Sequence, residues 1–287
     1  MRQVAFSLVV LALVALGCVT YALRAARVGR ARTVRTDEVG GTVFLSKRLI
    51  EMGYWAMQPI GRGFVALGFT ANTVTWLSLL FAAGAGVAFG SGAFGLGGLL
   101  TFASVVCDAL DGFVARKLGT SSNAGEVFDA AIDRYADFFI LGGLAYFYRN
   151  DRTVLVVTLA ALCGAFMVSY VTAKAEAMGV RAPSGAMRRP ERSVYLLAGA
   201  VFTPLSRAML EKPPTFSHAI GLPMVLALGV IALVANVSSV RRFVAMAAAV
   251  RARDAGLEPP VEHAVPSSEP PHAELEPKRT HSLGEAE

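Results

Sequence analysis

Asp108, Asp111, Asp129 and Asp133 are carboxylates set between long apolar stretches. Asp108, Asp111, Gly112 and Ala115 recur at intervals of three or four, so a helix would place them on one face. Gly125, Asp129 and Asp133 repeat that spacing after a short connection. Each face joins carboxylates to a residue without a bulky side chain, so that a ligand could approach the backbone at Gly112 or Gly125. Four converging negative charges repel unless something compensates them. Carboxylate oxygens suit Mg²⁺ or Mn²⁺, and the phosphate oxygens of a substrate can complete the shell. Two such ions sharing ligands would steady a phosphoryl group in transfer. Arg116, on the same segment, is placed to pair with phosphate.

The elements that must hold these residues are membrane-spanning helices. The chain is 54% hydrophobic and 17% charged, with a mean hydropathy of +0.53. Soluble domains carry about a quarter charged residues. Apolar runs at 72–90, 92–110, 128–148, 153–173, 193–206 and 220–240 predict six spans, the fifth short and interrupted by Pro204. The runs lack the alternation of a barrel, so the fold expected is all-α and polytopic. Residues 4–23 predict one further span, an uncleaved anchor followed by Arg24, Arg27, Arg30, Arg32 and Arg35. Residues 43–64 mix Leu49, Tyr54 and Trp55 with Lys47, Arg48 and Glu51, which predicts an amphipathic helix at the membrane surface. The division expected is an anchor and basic linker over 1–35, a juxtamembrane helix over 36–70, a six-helix membrane domain over 71–242 and a largely disordered tail over 243–287.

Charge sets the orientation. Arg116–Lys117, the stretch from Lys174 to Arg192, and Arg241–Arg242 fall on the same face as Arg24–Arg48 if the spans alternate, which makes that face cytoplasmic. Arg149, Arg152, Arg207 and Lys212 lie opposite. The net charge of +6 therefore reads as membrane topology, and no nucleic-acid partner is expected. Cys18, Cys107 and Cys163 form no zinc spacing or disulfide framework. His218, His263, His272 and His281 lie away from the acidic segment. Asp137 continues the four-residue spacing, and its expected partner is Arg134 on the same helix.

The pattern D-x2-D-G-x2-A-R-x8-G-x3-D-x3-D, carried by Asp108, Asp111, Gly112, Ala115, Arg116, Gly125, Asp129 and Asp133, resembles the signature of the CDP-alcohol phosphotransferases without a gap or substitution. The resemblance implies a six-helix membrane core, usually homodimeric, in the cytoplasmic (inner) membrane with its active site facing the cytoplasm. It implies transfer of a phosphatidyl group from CDP-diacylglycerol to a polar alcohol with release of CMP, in phospholipid biosynthesis. Asp108, Asp111, Asp129 and Asp133 would hold two Mg²⁺ or Mn²⁺ ions, with Asp133 also the base on the acceptor hydroxyl. Gly112, Ala115, Arg116 and Gly125 would shape the CDP pocket. Asn72 and Thr75 resemble a P-N-x-x-T element of that pocket, with Ala71 in place of proline.

Ser169 to Glu176 and Arg189 to Arg192 resemble the S-Y-x-x-A-x-A-E and R-P-E-R elements of the phosphatidylinositol phosphate synthase branch. Ser169, Arg189, Pro190 and Arg192 would then border the acceptor pocket. Thr172 stands where that branch has lysine, so glycerol 3-phosphate stays open beside inositol phosphate. A transporter or ion pathway lined by the acids is the alternative. It would more naturally place polar groups at mid-membrane. A calcium loop is disfavoured, since the alternating D-x-D-x-D-G ligands are missing.

Overall fold

The computed structural model describes residues 1–28, 47–180, 185–209 and 221–256. Eight helices and no strand occur among them: α1 (Arg2–Val28), α2 (Lys47–Ala66), α3 (Ala71–Gly90), α4 (Phe94–Leu118), α5 (Asn123–Phe147), α6 (Arg152–Ala177), α7 (Arg189–Met209) and α8 (Leu222–Asp254). Most of the expected basic linker, Lys212, the four histidines and residues 257–287 lie outside the described residues.

The protein is a multi-pass membrane protein. By length and composition α1, α3, α4, α6 and α8 are apolar enough to cross a bilayer. The other two expected spans, α5 and α7, are less apolar. At about 1.5 Å per residue their 25 and 21 residues still extend about 37 and 31 Å. That matches a hydrocarbon core of roughly 30 Å. Asp133 and Asp137 of α5 are tolerable there because they pair with Arg189 and Arg192 of α7.

Helices α3 to α8 form the six-helix core. α3 packs on α4 and α5, α6 on α5 and α8, and α7 on α4 and α8. The α3–α5 crossing depends on glycine. A Cβ on Gly86 would collide with the Phe139 carbonyl, and one on Gly143 would collide with the Gly86 carbonyl. Phe89, Phe94, Leu144, Leu228 and Ile231 belong to the main buried cluster. A smaller cluster of Val74, Cys107, Leu110 and Val114 lies beneath the acids, and Met57 and Phe64 of α2 pack against it.

The turn that brings the acids together is specified locally. Gly119 ends α4 in the left-handed region, at φ 67°, and the Thr120 N–H donates to the Ala115 carbonyl at 2.9 Å. Ser122 then caps α5 by accepting from the Gly125 N–H at 3.1 Å. Residues 119–122 thus reverse the chain so that α4 ends where α5 begins.

Two helices run past the apolar spans expected of them. α4 continues beyond residue 110 to Leu118, so Asp108, Asp111 and Arg116 sit within one unbroken helix. α8 runs past residue 242 to Asp254, because Ala235, Ser238, Ser239, Arg242 and Met246 continue one buried face. α2, the expected juxtamembrane helix, packs on α1 and α4. Its Glu51 is buried and accepts a hydrogen bond from the Tyr21 hydroxyl of α1 at 3.3 Å.

Candidate active site

Asp108 and Asp111 of α4 and Asp129 of α5 each present a carboxylate oxygen within 4.8 Å of the others. Asp111 is held from α3: the Thr75 hydroxyl donates to its Oδ2 at 2.8 Å. Thr75 is buried, four residues along α3 from Ala71, whose carbonyl its hydroxyl also meets at 3.1 Å. Three helices therefore converge on one carboxylate.

The fourth acid, Asp133, stands one turn along α5 from Asp129 and lies outside the trio. Its partner is Arg189, whose Nη1 pairs with both Asp108 and Asp133. The sequence reading placed Arg189 only at the acceptor pocket; its reach into the acidic cluster had no signal in the spacing, since 81 residues separate it from Asp108.

The start of α7 is fixed by a buried network. The Arg188 N–H donates to Glu191 Oε2 at 3.1 Å, and the Met187 N–H donates to the same oxygen. Met187 adopts φ 64°, a left-handed conformation that this double bond holds in place. Arg192, 1% exposed, donates to the Met187 carbonyl at 3.1 Å and to Asp137 at 2.5 Å. This corrects the expected Arg134–Asp137 pair. Asp137 turns across to α7, and Arg134 donates instead to the Ala130 carbonyl of its own helix. The R-P-E-R element thus fixes the start of α7, with Pro190 exposed in its first turn.

The remaining expected residues are placed as follows. The Arg116 guanidinium lies over Gly112, 3.1 Å from where a Cβ would stand. Gly125 serves the α5 cap, and Asn72 is exposed at the start of α3. Ala115 supplies the carbonyl that closes the turn after α4. Ser169 donates to the Ala165 carbonyl within α6, at 3.3 Å, rather than toward the acids.

Arg242 is a candidate site residue that the sequence did not single out. It is 3% exposed, and its Nη1 donates to the Thr172 hydroxyl at 3.2 Å while Nη2 donates to the Ala186 carbonyl at 3.2 Å. Its Nε is buried with no partner. The signal was present in the three- and four-residue spacing of Ser238, Ser239, Arg242 and Met246.

The donor set fits a hard divalent cation. The ligands are carboxylate oxygens, and Asp129 Oδ1 is a buried acceptor that no hydrogen bond satisfies. Residues 68–250, well over half of the chain, match the profile of the CDP-alcohol phosphatidyltransferases. The chain belongs to the CDP-alcohol phosphatidyltransferase family. Within it, the chain is 39% identical to the phosphatidylinositol phosphate synthase of Mycobacterium marinum over 146 residues, covering 50% of this chain and 62% of that one. It is 32% identical to the enzyme of the same name from Cutibacterium acnes over 198 residues, covering 67% of this chain and 93% of that one. Crystal structures of the Mycobacterium tuberculosis phosphatidylinositol phosphate synthase superpose on it. The form with CDP-DAG bound gives a TM-score of 0.56 at 29% identity, covering 66% of this chain and 92% of that one. The form in complex with manganese and citrate gives 0.57 at 28% identity, covering 66% and 88%. The match to this membrane-enzyme family agrees with the six-helix core and with a divalent metal at the acidic cluster.

Proposed function

We propose that the protein transfers the phosphatidyl group of CDP-diacylglycerol to the hydroxyl of a phosphorylated polyol, of the inositol phosphate type, and releases CMP. The observation that carries this reading is the convergence of Asp108, Asp111 and Asp129 from two helices, in a chain whose relatives are phosphatidylinositol phosphate synthases.

Asp108, Asp111 and Asp129 would hold two Mg²⁺ or Mn²⁺ ions, with Asp133 as a further ligand. When bound, the ions neutralise charge on the diphosphate and on the phosphoryl group in flight. Asp133 accepts the proton of the acceptor hydroxyl. The acceptor oxygen forms a new bond to the phosphatidyl phosphorus, and the bond from that phosphorus to CMP breaks. Thr75 keeps Asp111 in register. Arg116, lying over Gly112, borders the cytidine diphosphate with Ala115, Gly125, Asn72 and Thr75.

A phosphorylated acceptor is supported by the cations at the start of α7. Arg188 is exposed, Arg189 faces the acids, and Arg242 reaches Thr172 with a free Nε. Arg242 thus brings to Thr172, from another helix, the positive charge that threonine lacks. Ser169, Pro190 and Arg192 form the wall of this pocket.

The enzyme lies in the cytoplasmic membrane as a homodimer among lipids, with the acids facing the cytoplasm. Arg116, Lys117 and Arg188 share the acidic end, whereas Arg149 and Arg207 lie at the other. A transport pathway is not favoured, because the acids gather at one end of the bundle and the core beyond them is apolar.

The test is CMP release by the purified protein from labelled CDP-diacylglycerol, with Mg²⁺ or Mn²⁺ and a panel of acceptors. Metal-dependent release with inositol phosphate, yielding a phosphorylated inositol lipid, is the expected result. Release only with glycerol 3-phosphate would keep the reaction and change the acceptor. No release with any acceptor would overturn the reading.

A further inference from the structure

Asp108 belongs to two arrangements at once. Its carboxylate is one of the three that converge within 4.8 Å, and it is also paired with Arg189. The same Arg189 nitrogen pairs with Asp133. A divalent ion at the trio would place a second positive charge beside that guanidinium and draw on the same lone pairs. Repulsion between the two cations, at contact distance and partly out of water, makes both arrangements costly to hold together.

We propose that Arg189 is an exchangeable internal cation: it neutralises Asp108 and Asp133 in the metal-free protein, and metal binding expels its guanidinium toward the phosphate of an incoming substrate. This rests on the metal-site reading above. It makes Arg189 a residue that couples metal binding to substrate binding.

The anchoring of Arg189 supports exchange rather than a permanent pair. Its backbone cannot drift, because Glu191 caps the two preceding N–H groups and Arg192 ties α7 to Asp137 of α5. Only the side chain is free to move, pivoting on a fixed Cα. The new partner should be an anion, since a displaced guanidinium that stayed near the site unpaired would oppose the metal. Phosphate oxygens match its donor geometry. Exchange also gives a reason for Asp133 to be masked until the site is loaded. The proposed base is held by a guanidinium until the ions arrive, and it is freed when they do.

Coupling of this kind is reciprocal. Removing Arg189 removes the competitor, so the metal should bind more tightly to the free protein. The experiment is a Mn²⁺ titration of the full-length, detergent-solubilised protein, reading free Mn²⁺ by electron paramagnetic resonance. Arg189→Gln should bind Mn²⁺ more tightly than the parent, by a factor on the order of ten within the usual range of such couplings. Arg189→Lys keeps the charge but loses the planar fork that spans two carboxylates, and should fall between the two. It also decides the question if Arg189→Gln fails to fold. Arg241→Gln, at an exposed position on α8, measures what the loss of any cytoplasmic positive charge does. Its effect should be smaller than that of Arg189→Gln.

Unchanged or weaker Mn²⁺ binding in the folded Arg189 variants would overturn the exchange, as would an equal gain in Arg241→Gln. Asp129→Asn separates this from the parent reading, because Asp129 is not among the ion-pair partners of Arg189. If Asp129→Asn binds Mn²⁺ as the parent does, the metal site itself is misplaced. If it loses Mn²⁺ while the Arg189 variants show no gain, only the exchange fails.

Discussion

In the proposed reaction Thr75 and Asp133 have separable roles. Thr75 donates to Asp111 from a buried position on α3. Supporting hydrogen bonds of this kind typically change metal affinity or activity by about 10- to 100-fold. Thr75→Val should therefore weaken Mn²⁺ binding by about that factor, while Thr75→Ser, which keeps the donor, should not. A Mn²⁺ titration of the two variants checks this. Asp133, in contrast, lies outside the carboxylate trio. Asp133→Asn keeps the shape and removes the proton acceptor, so CMP release should fall by roughly 10²- to 10⁴-fold. The variant should remain monodisperse in size-exclusion chromatography, and release at the parental rate would refute the role. At this scale the sequence was informative where chemistry repeats at helical spacing: Asp108, Asp111, Asp129 and Asp133 stood out by cost and spacing alone. Arg189 did not, because a contact between residues 81 positions apart leaves no periodic trace, and the spacing that buries Arg242 did not reveal its partner Thr172, 70 positions away.

Helices α3 and α5 cross where neither can carry a side chain. Gly86 and Gly143 each lie against the other helix's backbone, whereas the neighbouring Gly142 faces open space. The two positions should respond oppositely. Gly86→Leu must push α5 away and should cost about 1–3 kcal/mol, the usual range for overpacking. It should also disturb the site, because the same two helices carry Thr75 and Asp129. Gly142→Ala meets nothing and should be neutral or gain up to about 1 kcal/mol from helix propensity. Thermal unfolding in detergent distinguishes them. The sequence announced these helices through their apolar runs and caps. It did not announce which glycines are contacts, since Gly86, Gly142 and Gly143 look alike until the neighbouring helix is in place. The ends of α4 and α8 were underestimated for a related reason. Hydropathy falls where charged side chains begin, but the helices continue through Arg116 and Arg242 because one face is still covered.

Across the whole molecule, the site draws on α3, α4, α5 and α7, all within the family-matched region. α1 stands outside that region and meets α2, α4 and α7. Among its described side chains only Ser7 and Val10 are fully buried. Deleting residues 1–28 should lower the melting temperature, since it removes the hydroxyl partner of the buried Glu51 and uncovers part of α4. It should leave Mn²⁺ affinity near the parental value. A Mn²⁺ titration beside a melting curve checks both, and loss of metal binding in a folded deletion variant would show that α1 shapes the site.

The first turn of α1 has a consequence for how the protein can be labelled. Gln3 Oε1 accepts the Leu96 N–H at 3.1 Å, which pins the amino terminus to the start of α4. Asp111 lies 15 residues farther along that helix, about 22 Å away at 1.5 Å per residue. Met1 and the acidic cluster are therefore held at opposite ends of a shared rod, and that rod carries most of the bilayer's thickness between them. An impermeant reagent added to intact cells should reach a tag at the amino terminus, while one at the exposed Lys117 should stay silent until the cells are opened.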